Sequence, residues 1–251
     1  MMGVTATLLS LGARLYGSLT KTSQPAPTMW NPFKRRTISD LATPIPFSEL
    51  KKRVKIVVID DDNESFPVEA LNESGYTIQW WGSVDSAGLN RLETGSFDII
   101  VLDIQGIVAP GLSDTQDGLG VLRRIKDVNP QQMVVAFSGQ AYKVDAMPFY
   151  RLADDVLGKP VTMIKCKEVL DHLIRERVGI VEYWTSIRTL LQRDGVSEDK
   201  IRRLESRIVL RAKKNQVMTR DQITKEVGPL ESAANIATLI EGIVTLWHLV
   251  S

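Results

Sequence analysis

Between residues 54 and 176, strand and helix patterns follow one another in strict alternation, and no other feature of the chain constrains its fold as much. Strand-like stretches run over 54–60 (VKIVVID), 76–81 (YTIQWW), 97–103 (FDIIVLD), 132–137 (QMVVAF) and 154–157 (DDVL). Helix-like stretches lie around 64–74, 85–94, 117–128, 140–152 and 162–176. Such alternation calls for an α/β fold, a five-stranded parallel sheet doubly wound with helices on both faces. The first and third strands are aliphatic almost throughout, as befits central strands covered on both sides. In an open sheet of this kind the ligand site lies beyond the carboxyl ends of the strands, near the point where strand order reverses.

The residues at those ends carry chemistry. The first strand delivers Asp60, Asp61 and Asp62, the third Asp103, the fourth Ser138 and the fifth Lys159. Consecutive carboxylates at the end of a buried strand repel one another unless something positive sits among them. Magnesium answers that need, since it takes oxygen ligands, often one or two carboxylates plus waters, and leaves positions for phosphate oxygens. Asp103 can then attack phosphorus as a nucleophile to give an acyl phosphate. The charge that develops would be met by the cation and by the Lys159 ammonium.

This set of residues, in this order, resembles the receiver domain of two-component response regulators, over about residues 53–176. The resemblance implies a flavodoxin-like strand order 2-1-3-4-5 and Mg2+ as cofactor. It implies Asp61 as a direct metal ligand, Asp60 acting mainly through water, and Asp103 as phosphoacceptor and metal ligand. The backbone carbonyl of Gln105 would complete the metal site. Ser138 matches the hydroxyl that follows the phosphoryl group in the switch, and Lys159 the phosphate-binding lysine, with Pro160 after it in a cis peptide. The implied phosphodonor is a histidine kinase or phosphotransfer protein, and the implied role is a switch rather than an enzyme, beyond its own phosphorylation and dephosphorylation. Two departures stand out. The loop from Ile104 to Gly118 is longer than the family's, and Val156 stands where the family usually has an aromatic residue. Asp62 reads as a solvated neighbour, Cys166 as an ordinary helix residue, and His172 as a surface or packing residue.

The ends of the chain differ from its middle. With 31 basic and 30 acidic residues the whole is nearly neutral, which gives no global charge argument for nucleic acid. The single cysteine, Cys166, excludes an internal disulfide, and a reducing, cytoplasmic setting is expected. Residues 1–21 place Val4, Leu8, Leu11, Leu15 and Leu19 on one helical face, and residues 1–39 carry no acid. This is read as an amphipathic helix that docks on other helices, with peripheral membrane contact, a transit peptide or a myristoylated start at Gly3 as alternatives. Residues 22–52, broken by prolines and basic at KRR, read as a linker.

Residues 177–251 show only helical patterns. Ile180, Trp184, Ile187 and Leu191 share one face, and Ile201, Leu204, Ile208 and Ala212 another. Arg203, Arg207, Arg211 and Lys214 form a basic stripe, read as a solvated face. Thr219 and Gln222 form a capping-box pattern that resembles the first helix of a helix-turn-helix. The last stretch puts Ile236, Leu239, Ile240, Ile243, Leu246, Trp247 and Val250 on one face, where a DNA-reading helix would need polar groups. Asn235, Thr238, Glu241, Thr245 and His248 form the opposite, polar stripe. The expected output is therefore protein–protein contact through these helices, with another protein or a second copy. A DNA-binding regulator and a receiver that is never phosphorylated are the rivals.

Overall fold

The computed structural model describes residues 35–110, 117–139 and 147–251, with only the backbone of 147–149. The expectations for residues 1–34, for the middle of the long loop, 111–116, and for the first part of the helix-like stretch 140–152, residues 140–146, lie outside the described residues. Arg35–Ser251 cluster as one compact unit. Its sheet contains β1 (Lys55–Ile59), β2 (Thr77–Trp81), β3 (Ile99–Asp103), β4 (Met133–Ser138) and β5 (Asp155–Gly158). All neighbours pair in parallel, in the order β2-β1-β3-β4-β5. The fold class read from the alternating pattern is the one observed.

Successive side chains of a strand point to opposite faces, so each aliphatic strand feeds two cores. Ile56, Val58, Ile99, Val101, Val135 and Phe137 face one side, together with Cys166, Leu170 and Ile174 of α6 (Met163–Arg177). Val57, Ile59, Ile100, Leu102, Val134 and Ala136 face the other. There they meet Leu89 and Leu92 of α3 (Ser86–Glu93) and Val121, Leu122 and Ile125 of α4 (Asp117–Val128). Each of the Val, Leu, Ile and Phe side chains among these contributes about 1.5–3 kcal/mol on full burial. The remaining helices of this half are α2 (Val68–Glu73) and α5 (Met147–Leu152). The helix expected from residue 64 begins only at Val68, because residues 60–67 are taken up by a turn and Pro67 stands at its N-cap.

The expected linker is structured from Thr37 onward. A 3-10 turn at Ile38–Asp40 and helix α1 (Phe47–Arg53) bury Ile38, Leu41 and Leu50. The backbone N–H of Ile38 donates to Glu205 Oε1 at 3.1 Å, and Arg35 pairs with Glu205 at 3.3 Å. Pro46 stands at the N-cap of α1, and residues 37–52, about half of the stretch read as a linker, are packed through the apolar anchors Ile38, Leu41 and Leu50.

Four helices follow: α7 (Ile180–Arg193), α8 (Glu198–Ala212), α9 (Arg220–Val227) and α10 (Ala233–His248). The apolar stripes read from the sequence point inward, with Ile187, Leu191, Leu204, Ile208, Ile236, Ile240 and Ile243 fully buried. The capping box is formed, Thr219 Oγ1 accepting from the Gln222 N–H at 3.4 Å and Gln222 Oε1 from the Thr219 N–H at 3.2 Å. The basic stripe of α8 is partly neutralised in place, with Arg207 on Glu226 at 3.3 Å. No helix of the described residues is long and apolar enough to cross a membrane.

These helices share a core with the sheet and close its lower edge, where the strands begin. The last carbonyls of a helix lack intrahelical partners. Here the bundle supplies them. The Arg193 guanidinium donates to the Val128 carbonyl at the end of α4 at 3.3 Å, and Thr238 Oγ1 to the Thr94 carbonyl after α3 at 3.3 Å. The Asn235 amide, oriented to satisfy its neighbours, donates to the Glu93 and Thr94 carbonyls at 3.0 and 3.1 Å. The polar stripe of α10 thus includes a buried pin, Asn235. Just below β3, Asp98 accepts from the Lys55 N–H at 2.8 Å and from the Tyr183 hydroxyl at 3.0 Å.

Burial pushes the Asp98 carboxyl up from its ordinary range, against the pull of those two donors. The folded protein therefore holds this proton to higher pH than the unfolded chain does, so the Asp98 contribution falls as pH rises through the ordinary carboxylate range and up to the raised value. Asp98→Asn is expected to gain stability relative to the unmodified protein over that climb. Urea unfolding of both at several pH values between 4 and 7 checks this; a constant difference between them would contradict it.

Candidate functional site

Parallel strands end on the same edge of a sheet, so the residues that follow β1, β3, β4 and β5 must meet. Asp60 and Asp61 follow β1, Asp103 ends β3, Ser138 ends β4, and Lys159 follows β5. Lys159 Nζ lies 2.6 Å from Asp60 Oδ2 and 2.8 Å from Asp103 Oδ2. It also stands 4.8 Å from the centre of the Phe137 ring. The Lys159–Pro160 peptide is cis. Carboxylate oxygens of Asp60, Asp61 and Asp103 all lie within 4.8 Å of one another.

The three acids are held differently. Asp60 is fully buried: Oδ1 accepts from the Asp62 N–H at 3.0 Å, and Oδ2 from the Ser65 hydroxyl at 2.6 Å as well as from Lys159. Asp103 is 7 % exposed and takes the Ile104 N–H on Oδ1 at 2.6 Å. Asp61 is exposed and packs against Gly106, where an added Cβ would come 2.5 Å from Oδ2. Burial raises the Asp103 carboxyl above its ordinary range, and hydrogen bonding and attraction from Lys159 oppose that rise. For Lys159 burial works to lower the ammonium, but hydrogen bonds to Asp103 and Asp60 leave it above its ordinary value. The positive group sought among the acids is, in this structure, the lysine.

One ammonium does not neutralise three carboxylates. Two negative charges remain if all three are ionised, on hard oxygen donors close enough to share one ion, which suits magnesium. The residues therefore fit the cation the sequence calls for. Gln105 lies in the exposed turn after Asp103, and Ser138 is buried beside the Lys159 backbone, whose N–H donates to the Ser138 carbonyl at 3.1 Å. Val156 is 40 % exposed on β5. His172 is exposed, and Cys166 is buried with its thiol pushed up to about 12, an unreactive state. Ser65 and Asp117 were not singled out from the sequence. Nothing but the two-residue interval between Asp60 and Asp62 hints at the turn that brings Ser65 back, whereas Asp117 could have been noticed as the residue before Gly118.

No family model matches the chain, and no curated protein matches it. Solved structures do. A CheY-like receiver domain protein from Methanospirillum hungatei is 21% identical, with 49% of this chain aligned to 94% of that one at a TM-score of 0.41. A two-component response regulator from Clostridium difficile is 20% identical over 49% of this chain and 98% of its own, at 0.39. The response regulator TrrA from Thermotoga maritima, solved with Mg2+ and BeF, is 24% identical over 48% of this chain and 98% of its own, at 0.39. The strand order decides the topology. The α/β half has the flavodoxin-like, doubly wound topology. The sheet's own helices end with α6, and α7 to α10 continue its core rather than hang from it as beads on a string.

Proposed function

We propose that the chain is a phosphorylation-dependent signalling switch. A phosphohistidine of a histidine kinase or phosphotransfer protein is the donor. A carboxylate oxygen of Asp103 attacks its phosphorus, an O–P bond forms, the N–P bond breaks, and the imidazole leaves with the electron pair and takes up a proton. The supporting observation is the meeting of Asp60, Asp61, Asp103, Ser138 and Lys159 at one sheet edge, with Lys159 Nζ 2.8 Å from Asp103. Magnesium, held by Asp60, Asp61, Asp103 and the Gln105 carbonyl, would supply charge neutralisation for the phosphoryl oxygens. Lys159, released from the Asp103 carboxylate once that oxygen is esterified, would turn to a phosphoryl oxygen, and Ser138 would donate to another. Output through contact of the C-terminal helices with another protein or a second copy completes the proposal. A DNA-reading role draws less support, since α10 buries its apolar face and Arg207 of α8 is paired.

The test is incorporation of phosphate from a small phosphodonor such as phosphoramidate in the presence of Mg2+, and transfer from a phosphorylated histidine kinase. Labelling is expected in the unmodified protein and is expected to vanish in Asp103→Asn. Labelling that persists in that variant removes Asp103 from the role. Absence of labelling from any donor, with the protein folded, leaves a silent receiver in place of the switch.

A further inference from the structure

The long loop after Asp103 is fastened at several points. The Gly118 N–H donates to the Ile104 carbonyl at 3.0 Å. Val84, beyond β2, donates to the Ile107 carbonyl at 2.6 Å and accepts from the Ala109 N–H at 3.0 Å, a short parallel bridge of Val84 with Val108. Ile107 is fully buried. A further fastening is Asp117. Its Oδ2 accepts from the Gly106 N–H at 3.0 Å, and Oδ1 from the Ile107 N–H at 3.4 Å. Asp117 does this from a left-handed backbone, φ +49°, which costs a residue with a Cβ about 1–2 kcal/mol. Strain kept beside a candidate site is a reason to ask what it does.

The peptide between Gln105 and Gly106 is planar, and it is not among the cis bonds. In a trans peptide the carbonyl points opposite to the N–H. By fixing the Gly106 N–H, Asp117 fixes the whole peptide plane and therefore the heading of the Gln105 carbonyl. The same turn presses Gly106 against Asp61. We propose that Asp117 is a positioning residue that aims the Gln105 carbonyl into the carboxylate cluster and so sets the affinity of the site for a divalent cation. This rests on the reading of that cluster as a magnesium site.

Mg2+ binding is measured directly, by titration calorimetry on the full chain without phosphodonor. Asp117→Ala is expected to weaken Mg2+ binding by about 10- to 100-fold, the usual effect of losing a group that orients a metal ligand. Asp117→Asn keeps an acceptor oxygen while losing the charge, and is expected to recover most of the affinity. Equal affinity in the alanine variant overturns the inference, as does an asparagine variant as weak as alanine, which would mean that charge and not aim matters. No Mg2+ binding by the unmodified protein would instead overturn the magnesium reading itself. Should the alanine variant not fold, amide exchange in the unmodified protein decides: a slowly exchanging Gly106 N–H whose resonance shifts with Mg2+ supports the inference, and a freely exchanging one overturns it.

Discussion

Lys159→Met is expected to destabilise the protein by about 3–5 kcal/mol in the absence of divalent cations, the cost of removing one partner from a buried ion pair. Asp60 has no access to water, and Asp103 is held in the same pocket with the same ammonium. Without Lys159 the two carboxylates face each other in a medium that screens them poorly. Added Mg2+ should restore much of the loss, because a cation that binds only the folded state stabilises it by about 2.7 kcal/mol at a hundred times its dissociation constant. The sign of the pH dependence follows from Asp103. Its carboxyl already sits above its ordinary range through burial, with Lys159 opposing, so loss of the lysine raises it further. The defect should shrink as the pH falls into the carboxylate range and grow as it rises. Urea unfolding in EDTA and in millimolar Mg2+ provides the measurement. A variant as stable as the parent in EDTA, or one that Mg2+ stabilises no more than the parent, would mean that Lys159 does not carry the charge balance of the pocket.

The site was legible because parallel topology does the gathering. Once VKIVVID and FDIIVLD are read as neighbouring buried strands, Asp60, Asp61 and Asp103 must share an edge, and the residues ending β4 and following β5 join them. Pattern alone could not give the pairing within that edge. That Lys159 reaches both Asp60 and Asp103 depends on side-chain length and on where the β5 loop turns. Ser65 and Asp117 act through backbone N–H groups or a returning turn, and such contacts leave no periodic trace. Residues 37–52 read as a linker for a related reason: their prolines are visible, while the burial of Ile38, Leu41 and Leu50 depends in part on helices more than 100 residues further along the chain. In the C-terminal half the apolar stripes gave the inward faces correctly. Asn235 reads only as a member of the polar stripe, because nothing in the sequence reveals that the carbonyls closing α3 lie against it.

Removal of residues 178–251 is expected to leave a receiver half that does not fold cooperatively. The expectation rests on what these helices cover. Tyr183 shields the Asp98 carboxyl and donates to it, Asn235 and Arg193 satisfy the ends of α3 and α4, and Ile180, Ile187, Ile236, Ile240 and Ile243 belong to the same buried cluster as Ile99 and Met133. At about 1.5–3 kcal/mol for each large apolar side chain buried, losing even a few such contacts consumes a net stability that is only about 5–15 kcal/mol for a domain. The full chain should accordingly melt in one transition by both near- and far-ultraviolet circular dichroism, and the 1–177 fragment should lose its near-ultraviolet signal or aggregate. Tyr183→Phe offers a milder cut through the same joint, expected to cost about 1–3 kcal/mol because it strips one donor from a buried carboxylate. A fragment that keeps its near-ultraviolet spectrum and still takes up phosphate on Asp103 would show that the bundle is a separable output module, and the shared core would then be a docking surface instead of a condition for folding.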